Sequence, residues 1–309
     1  MIKDNETNFL YLADCLPTKN PVFFRKLKTL LKECKVHYSF LPNSKDIWVV
    51  DYMPIQINEK SFVQFVYDPD YLQTKKLKAT ISDVNSICSE VDIKPVKSKL
   101  VLDGGNVIRG KDKVIMCDKV FKENPLLKEK KIIEELERLF QVDKIIFIPT
   151  HPLDYTGHAD GMLRFLNDNT VLINDLSKEK KEYQLNVHMA LHNAGINWID
   201  VPYNPYTNSD YIQAIGVYIN YLEMDGLIVL PIFGMKEDKL AVALFEKLFP
   251  KKAIKTINCN EIAKEGGILN CITWNIKVDD KYKRKHSYAY KFIYTENDMS
   301  GITIIKKSK

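Results

Sequence analysis

Leu163-Arg164-Phe165-Leu166, then Val171-Leu172-Ile173, then a helical pattern over 180–194, then Trp198-Ile199-Asp200-Val201: this stretch reads as strand, strand, helix, strand. The same order recurs outward in both directions. Helical patterns at 21–34, 76–89, 126–140, 180–194 and 237–249 are each followed, after a short break, by an apolar strand at 36–41, 96–102, 145–149, 198–201 and 254–257. Two further extended runs precede each later helix, as 163–166 with 171–173 and 214–222 with 227–233 do. A unit of this kind returning at about fifty residues is the signature of radial or stacked repeats rather than of one open sheet. The class is therefore α/β.

Composition narrows the function. With 309 residues, 45% hydrophobic and 28% charged, the chain can bury a sizeable core. Its net charge of +5 comes from lysines scattered along the whole length, with five arginines, and no basic stripe is present, so the reading is no nucleic acid. The start, Met1-Ile2-Lys3-Asp4-Asn5-Glu6-Thr7-Asn8, lacks the apolar centre of a signal peptide, and no apolar run is long enough to cross a bilayer, so the expectation is no membrane and a cytoplasmic location. The six cysteines are dispersed without close pairs, which suggests neither a disulfide framework nor a thiolate metal site. His188 and His192 lie four apart in a helical pattern, but no third ligand accompanies them, and the expected metal content is none.

Chemistry concentrates in four segments: Trp48-Val49-Val50-Asp51, Asp103-Gly104-Gly105-Asn106, Thr156-Gly157-His158-Ala159-Asp160, and Glu265-Gly266-Gly267-Ile268-Leu269-Asn270-Cys271-Ile272-Thr273. A thiol that attacks an electron-poor carbon needs a proton carrier and a group to orient that carrier, and Cys271, His158 and Asp103 can fill these roles. Asp51 and Asp160 are left over from a simple hydrolase. Two more carboxylates suit a planar cation, because a guanidinium presents its N–H donors in a fork that matches carboxylates. Asp51 is read here within an apolar strand over 47–57, where an unpaired carboxylate is costly and a cationic ligand would relieve the cost. His158 and Asp160 alternate across Ala159, so in an extended segment both would point to one side. All of these residues fall at or shortly after the last strand of a repeat, which would bring them to one end of a common axis.

Taken in this order across 46–274, the four segments resemble the guanidine-modifying superfamily, most closely its agmatine deiminase and bacterial peptidylarginine deiminase branch. Tyr218-Ile219-Asn220-Tyr221, Ile228-Val229-Leu230-Pro231-Ile232-Phe233-Gly234 and Leu248-Phe249-Pro250 fit the same pattern. The resemblance implies a five-bladed pseudo-symmetric α/β propeller (the pentein fold), as a single catalytic domain over 1–309 with a β-hairpin extension at 277–309 placed to cover a face or mediate a homo-oligomer. It implies a hydrolase that deiminates a small cationic guanidine through a covalent adduct on Cys271, with His158 and Asp103 as the other catalytic residues, and with Asp51, Asp160, Asn220 and Trp48 binding substrate. No cofactor is implied.

Two positions depart from the family pattern. Relatives commonly carry Arg before the first aspartate and His before the cysteine, where this chain has Val50 and Asn270. Agmatine leads as substrate. Free arginine would need a cationic clamp for its α-carboxylate, with Arg109 and Arg164 the arginines nearest the motifs, whereas Trp48, Tyr52, Tyr155 and Trp274 could embrace an alkyl chain or ammonium. Deimination of free or peptidyl arginine, amidino transfer, and a guanidinium-binding homologue without turnover are the alternatives.

Overall fold

The computed structural model describes residues 1–210, 212–287, 290–293 and 303–306. The first sheet begins with β1 (Phe9–Ala13) and β2 (Tyr38–Leu41), parallel to each other and joined through the helix Pro21–Glu33. Four more sheets each take three consecutive strands: β3 (Ile55–Gln56), β4 (Phe62–Val66) and β5 (Val96–Val101), then β6 (Ile108–Arg109), β7 (Lys113–Cys117) and β8 (Lys144–Ile148). The next is β9 (Leu163–Asn167), β10 (Thr170–Asn174) and β11 (Asn197–Val201), and the last β12 (Leu222–Met224), β13 (Leu227–Ile232) and β14 (Ala253–Asn258). In each of the four the first pair is antiparallel and the second parallel. A parallel pair needs a crossover, and the helices Val84–Glu90, Glu129–Phe140, Lys181–Asn193 and Glu237–Leu248 supply it. Finally β15 (Trp274–Ile276) returns to pair antiparallel with β1, Phe9 opposite Ile276, and completes the first sheet. The result is the five-bladed pseudo-symmetric α/β propeller.

Each helix forms because its sequence offers one apolar face to the neighbouring sheets. In Pro21–Glu33, proline occupies the first turn, where its missing N–H has no partner to lose, and Phe23, Phe24, Leu27 and Leu31 are buried. In Glu129–Phe140, Ile132, Leu136, Leu139 and Phe140 pack with Val63, Phe65, Val114 and Met116, so one helix joins the cores of two sheets. The middle strands β7, β10 and β13 are almost wholly buried, as strands covered on both faces must be.

Several local expectations give way to the structure. The run 47–57 is not one strand: Val49–Tyr52 is a short helical turn, and only Ile55–Gln56 is extended. The pattern over 76–89 divides into Lys75–Lys78 and Val84–Glu90, the second capped by Asp83, whose carboxylate accepts from the Ser86 N–H at 3.1 Å. The strand expected at 214–222 is confined to Leu222–Met224, because the residues before it turn through Gly216 at φ +87°. Within the expected hairpin extension, Asp280–His286 is a helix, capped by Asp279. Tyr290–Ile293 pair antiparallel with Thr303–Lys306, and the residues expected to join them lie outside the described residues.

Candidate active site

The five connections that lead from the last strand of one blade to the first strand of the next each deliver site residues. Trp48 and Asp51 follow β2, Asp103 follows β5, His158 and Asp160 follow β8, Asn220 follows β11 and Cys271 follows β14. All seven residues expected from the sequence come together. Trp48, Asp51, His158, Asp160, Asn220 and Cys271 line one cavity of about 660 Å³, and Asp103 sits behind His158.

The convergence depends on close backbone approach. Gly105 donates its N–H to Asp51 Oδ1 at 3.1 Å, and a Cβ there would lie 2.6 Å from that oxygen and 2.7 Å from His158 Nδ1. Gly267 plays the same part for the Trp48 ring, which a Cβ would meet at 2.4 Å. Val50 donates its N–H to the Cys271 carbonyl at 3.3 Å, tying the Asp51 turn to the cysteine loop. His158 and Asp160 flank the start of a single 3-10 turn, Ala159–Gly161, rather than an extended segment; both are nevertheless buried at the cavity.

His158 lies between two carboxylates. Its Nε2 is 2.8 Å from Asp103 Oδ2 and its Nδ1 3.4 Å from Asp51 Oδ1. Burial opposes charge on the imidazole, but the charge of Asp51, the hydrogen bond that Nε2 donates to Asp103, and the charge of Asp160 outweigh it and push the pKa up to about 10. Burial pushes the Asp51 carboxyl up to about 8; His158 opposes this, and Asp103 and Asp160 add to it. Burial likewise raises the Asp160 carboxyl, against His158 and the amide of Asn270. At Cys271, Asn220 Nδ2 donates to the sulfur at 3.2 Å and the thiol donates to Asp160 Oδ2 at 3.6 Å. Burial, then Asp160 and Asp51, push that thiol well above its ordinary pKa. The pattern is a buried, neutral thiol among carboxylates whose charge is incompletely met.

Two contributors, Tyr71 and Lys119, escape sequence reasoning, and a third, Asn270, shows there only as a departure from the family pattern. Tyr71, from a stretch with no clear periodicity, donates its hydroxyl to Asp103 Oδ2 at 3.1 Å. Lys119 is buried 3.9 Å from the same oxygen, with Glu123 at 3.0 Å and Asp70 at 3.4 Å. Asn270 Nδ2 donates to Asp160 Oδ2 at 2.6 Å.

Other expectations are redistributed. Trp48 and Tyr155 line the cavity, joined by Tyr67, Tyr71, Tyr203 and Tyr206, whereas Tyr52 and Trp274 are buried outside it, bonded to the carbonyls of Asp46 and Pro54. Arg109 and Arg164 both bind Asp4 outside the cavity and do not form a carboxylate clamp. His151 lines the cavity 3.2 Å from Glu179, and His188 stacks on Trp198 with ring centroids 4.6 Å apart. No Lys or Arg is among the described residues lining the cavity, while Asp46, Asp51, Asp154, Asp160, Glu179 and Glu265 are.

Among known proteins, the family described as Porphyromonas-type peptidyl-arginine deiminase matches residues 13–276. A protein of Mycoplasma mycoides is 25% identical over 219 residues, 60% of this chain and 60% of its own length. The agmatine deiminase of Pseudomonas aeruginosa is 24% identical over 206 residues, 56% of each chain. The chain thus spans about three-fifths of the length of these curated relatives. The fold is similar to that of the agmatine deiminase of Enterococcus faecalis, with a TM-score of 0.72 at 16% identity over 89% of this chain and 94% of the other. It is also similar to an amidinotransferase of Microseira wollei, with a TM-score of 0.57 at 10% identity over 89% and 95%.

Proposed function

The chain belongs to the Porphyromonas-type peptidyl-arginine deiminase family, and on that premise we propose that it is a hydrolase that deiminates a small cationic guanidine, agmatine first among them. One observation carries the reading. Asp51 and Asp160 are buried beside the Cys271 sulfur with raised pKa values and, among the described residues, without a lysine or arginine partner at 4 Å or less. Buried carboxylates in that condition are expensive unless something cationic arrives, and a guanidinium would meet both with its forked donors.

The positions of these groups support the following mechanism. With the cation docked on Asp51 and Asp160, the repulsion that holds the Cys271 thiol neutral is cancelled; the thiol gives up its proton to solvent, and the thiolate adds to the central guanidinium carbon. His158, protonated between Asp51 and Asp103, gives its proton to the departing nitrogen, and ammonia leaves. A thiouronium remains on the sulfur. His158, now neutral, takes a proton from water, the hydroxyl adds to the same carbon, and collapse breaks the C–S bond to release the ureido product and restore the thiol. From agmatine that product is N-carbamoylputrescine.

The cavity favours a guanidine without a carboxylate. Six carboxylates and aromatic rings line it, and the two arginines suited to an α-carboxylate are engaged with Asp4 outside it. A second reading, arginine within a peptide, draws on the mouth, where Leu77, Leu153, Tyr155, Tyr206 and Ile212 are exposed and apolar. Ammonia release from agmatine, free arginine and arginyl peptides, assayed in parallel with identification of the ureido product, tests the reading. No release from any of the three would overturn it.

A further inference from the structure

We propose that Arg164 and Asn270 act as one positioning pair for Asp160, fixing an N–H donor on its Oδ2 from outside the cavity. This rests on the reading that a guanidinium-type cation docks against Asp160, and it assigns a use to the asparagine that stands where relatives commonly carry histidine.

The geometry turns on the ambiguity of a primary amide, which can offer a neighbour either its oxygen or its nitrogen. A guanidinium has no acceptor, so the 3.1 Å contact of Arg164 Nη1 must be made by Asn270 Oδ1. The amide nitrogen is then committed to the other side, where Nδ2 meets Asp160 Oδ2 at 2.6 Å. Arg164 cannot readily turn away. Nη1 also donates to the Tyr221 carbonyl at 3.0 Å, Nη2 binds Asp4, and the guanidinium lies 4.8 Å over the Tyr221 ring. Asp4 is held in turn by Arg109. Without Arg164, a half-turn of the Asn270 amide would aim an oxygen at Asp160, an arrangement that favours a proton on that carboxyl and disfavours a docked cation.

The charged and titratable groups around the pair are few. Arg164 faces Asp4, Tyr221, Glu223 and Asp160, and Glu223 is neutralised by Lys252 at 2.6 Å. Asp160 faces His158, Asn270, Arg164 and Cys271, with Asp51 beyond. Replacing Arg164 by Met therefore leaves Asp4 with Arg109 and Glu223 with Lys252, so neither carboxylate is orphaned.

The test measures alkylation of Cys271 by cationic 2-chloroacetamidine and by neutral iodoacetamide across pH 5 to 10. Taken as second-order rate constants, both rates refer to the thiol of the free enzyme, so their ratio cancels its titration and reports docking of the cation, whether or not the enzyme turns over. In Arg164→Met the pH at which the ratio reaches half its plateau should rise by roughly one unit or more. Asn270→Leu, which keeps Arg164 on Asp4 and Tyr221, should give the same rise and carries the test if Arg164→Met does not fold. Because the two residues act in series, the double variant should shift no further than either single one. A ratio profile that superimposes on wild type in either folded variant, or a double variant whose shift is the sum of the two, would overturn the pair. Wild-type ammonia release tests the deiminase reading separately.

Discussion

Asn220 donates its side-chain N–H to the Cys271 sulfur at 3.2 Å while its carbonyl oxygen accepts the Asn270 backbone N–H at 3.1 Å, so one amide both orients the thiol and anchors the loop that bears it. Asn220→Ala should weaken both. Loss of a neutral hydrogen bond to a developing thiolate is expected to reduce kcat by roughly one to two orders of magnitude, about 1.5–3 kcal/mol. Kinetics on the best guanidine, with the melting temperature as control, checks this.

The proposed nucleophile, Cys271, should admit no substitute. Cys271→Ala or Cys271→Ser should lose essentially all turnover while still binding substrate, and Cys259→Ala, a small packing change in a fully buried site, should keep near wild-type kinetics if the protein remains folded. Retained turnover in Cys271→Ser would count heavily against the mechanism. Isothermal titration with substrate separates binding from chemistry.

Asp51 trades stability for recognition. Asp51→Asn and Asp160→Asn each remove one charge-assisted contact to a desolvated cation and should lower kcat/KM by about 2–4 kcal/mol. Asp51→Asn should also stabilise the empty protein. The folded pKa of about 8 lies above the ordinary 3.8, so wild type loses stability as pH rises between the two and the variant escapes that loss. The gain should be absent near pH 4 and full above pH 8, as thermal melts across pH would record.

The thiol should ionise on demand. Burial, Asp160 and Asp51 hold it neutral in the empty site, so iodoacetamide should inactivate slowly at pH 7 and faster as pH rises toward 9 and beyond. A cationic amidine with a leaving group should react far faster. Equal reactivity toward cationic and neutral reagents, with a midpoint near pH 6, would point instead to a preformed ion pair of Cys271 and His158.

Lys119→Met leaves Glu123, Asp70 and Asp103 without their shared buried cation, and should destabilise the protein by about 2–4 kcal/mol at pH 7. Glu123, whose carboxyl burial already raises, would rise further. An acid with a raised folded pKa costs most where it must be ionised, so the deficit should shrink as pH falls toward 5. Denaturant titrations at pH 5 and pH 8 measure the difference.

The fold was legible because each repeat alternates two different periodicities, and the crossover helices Pro21–Glu33 and Glu129–Phe140 carry strong apolar faces. The connections were harder to read. The run around Asp51 is apolar because it is buried, and burial alone does not distinguish a helical turn from a strand. The same limit made 214–222 look extended. Residues proposed to touch substrate carry motifs, whereas Lys119, Tyr71 and Asp4 act across long sequence separations through single contacts that leave no local pattern. Asn270 was visible only as a departure; its two partners give it a purpose.

The pairing of β15 with β1 places the cysteine loop immediately before the strand that closes the ring. Closing the ring requires a contact of high sequence separation, the kind that slows folding. A chain in which that seam is open should present an ordinary cysteine, so selective reactivity toward cations would report that the circle has closed.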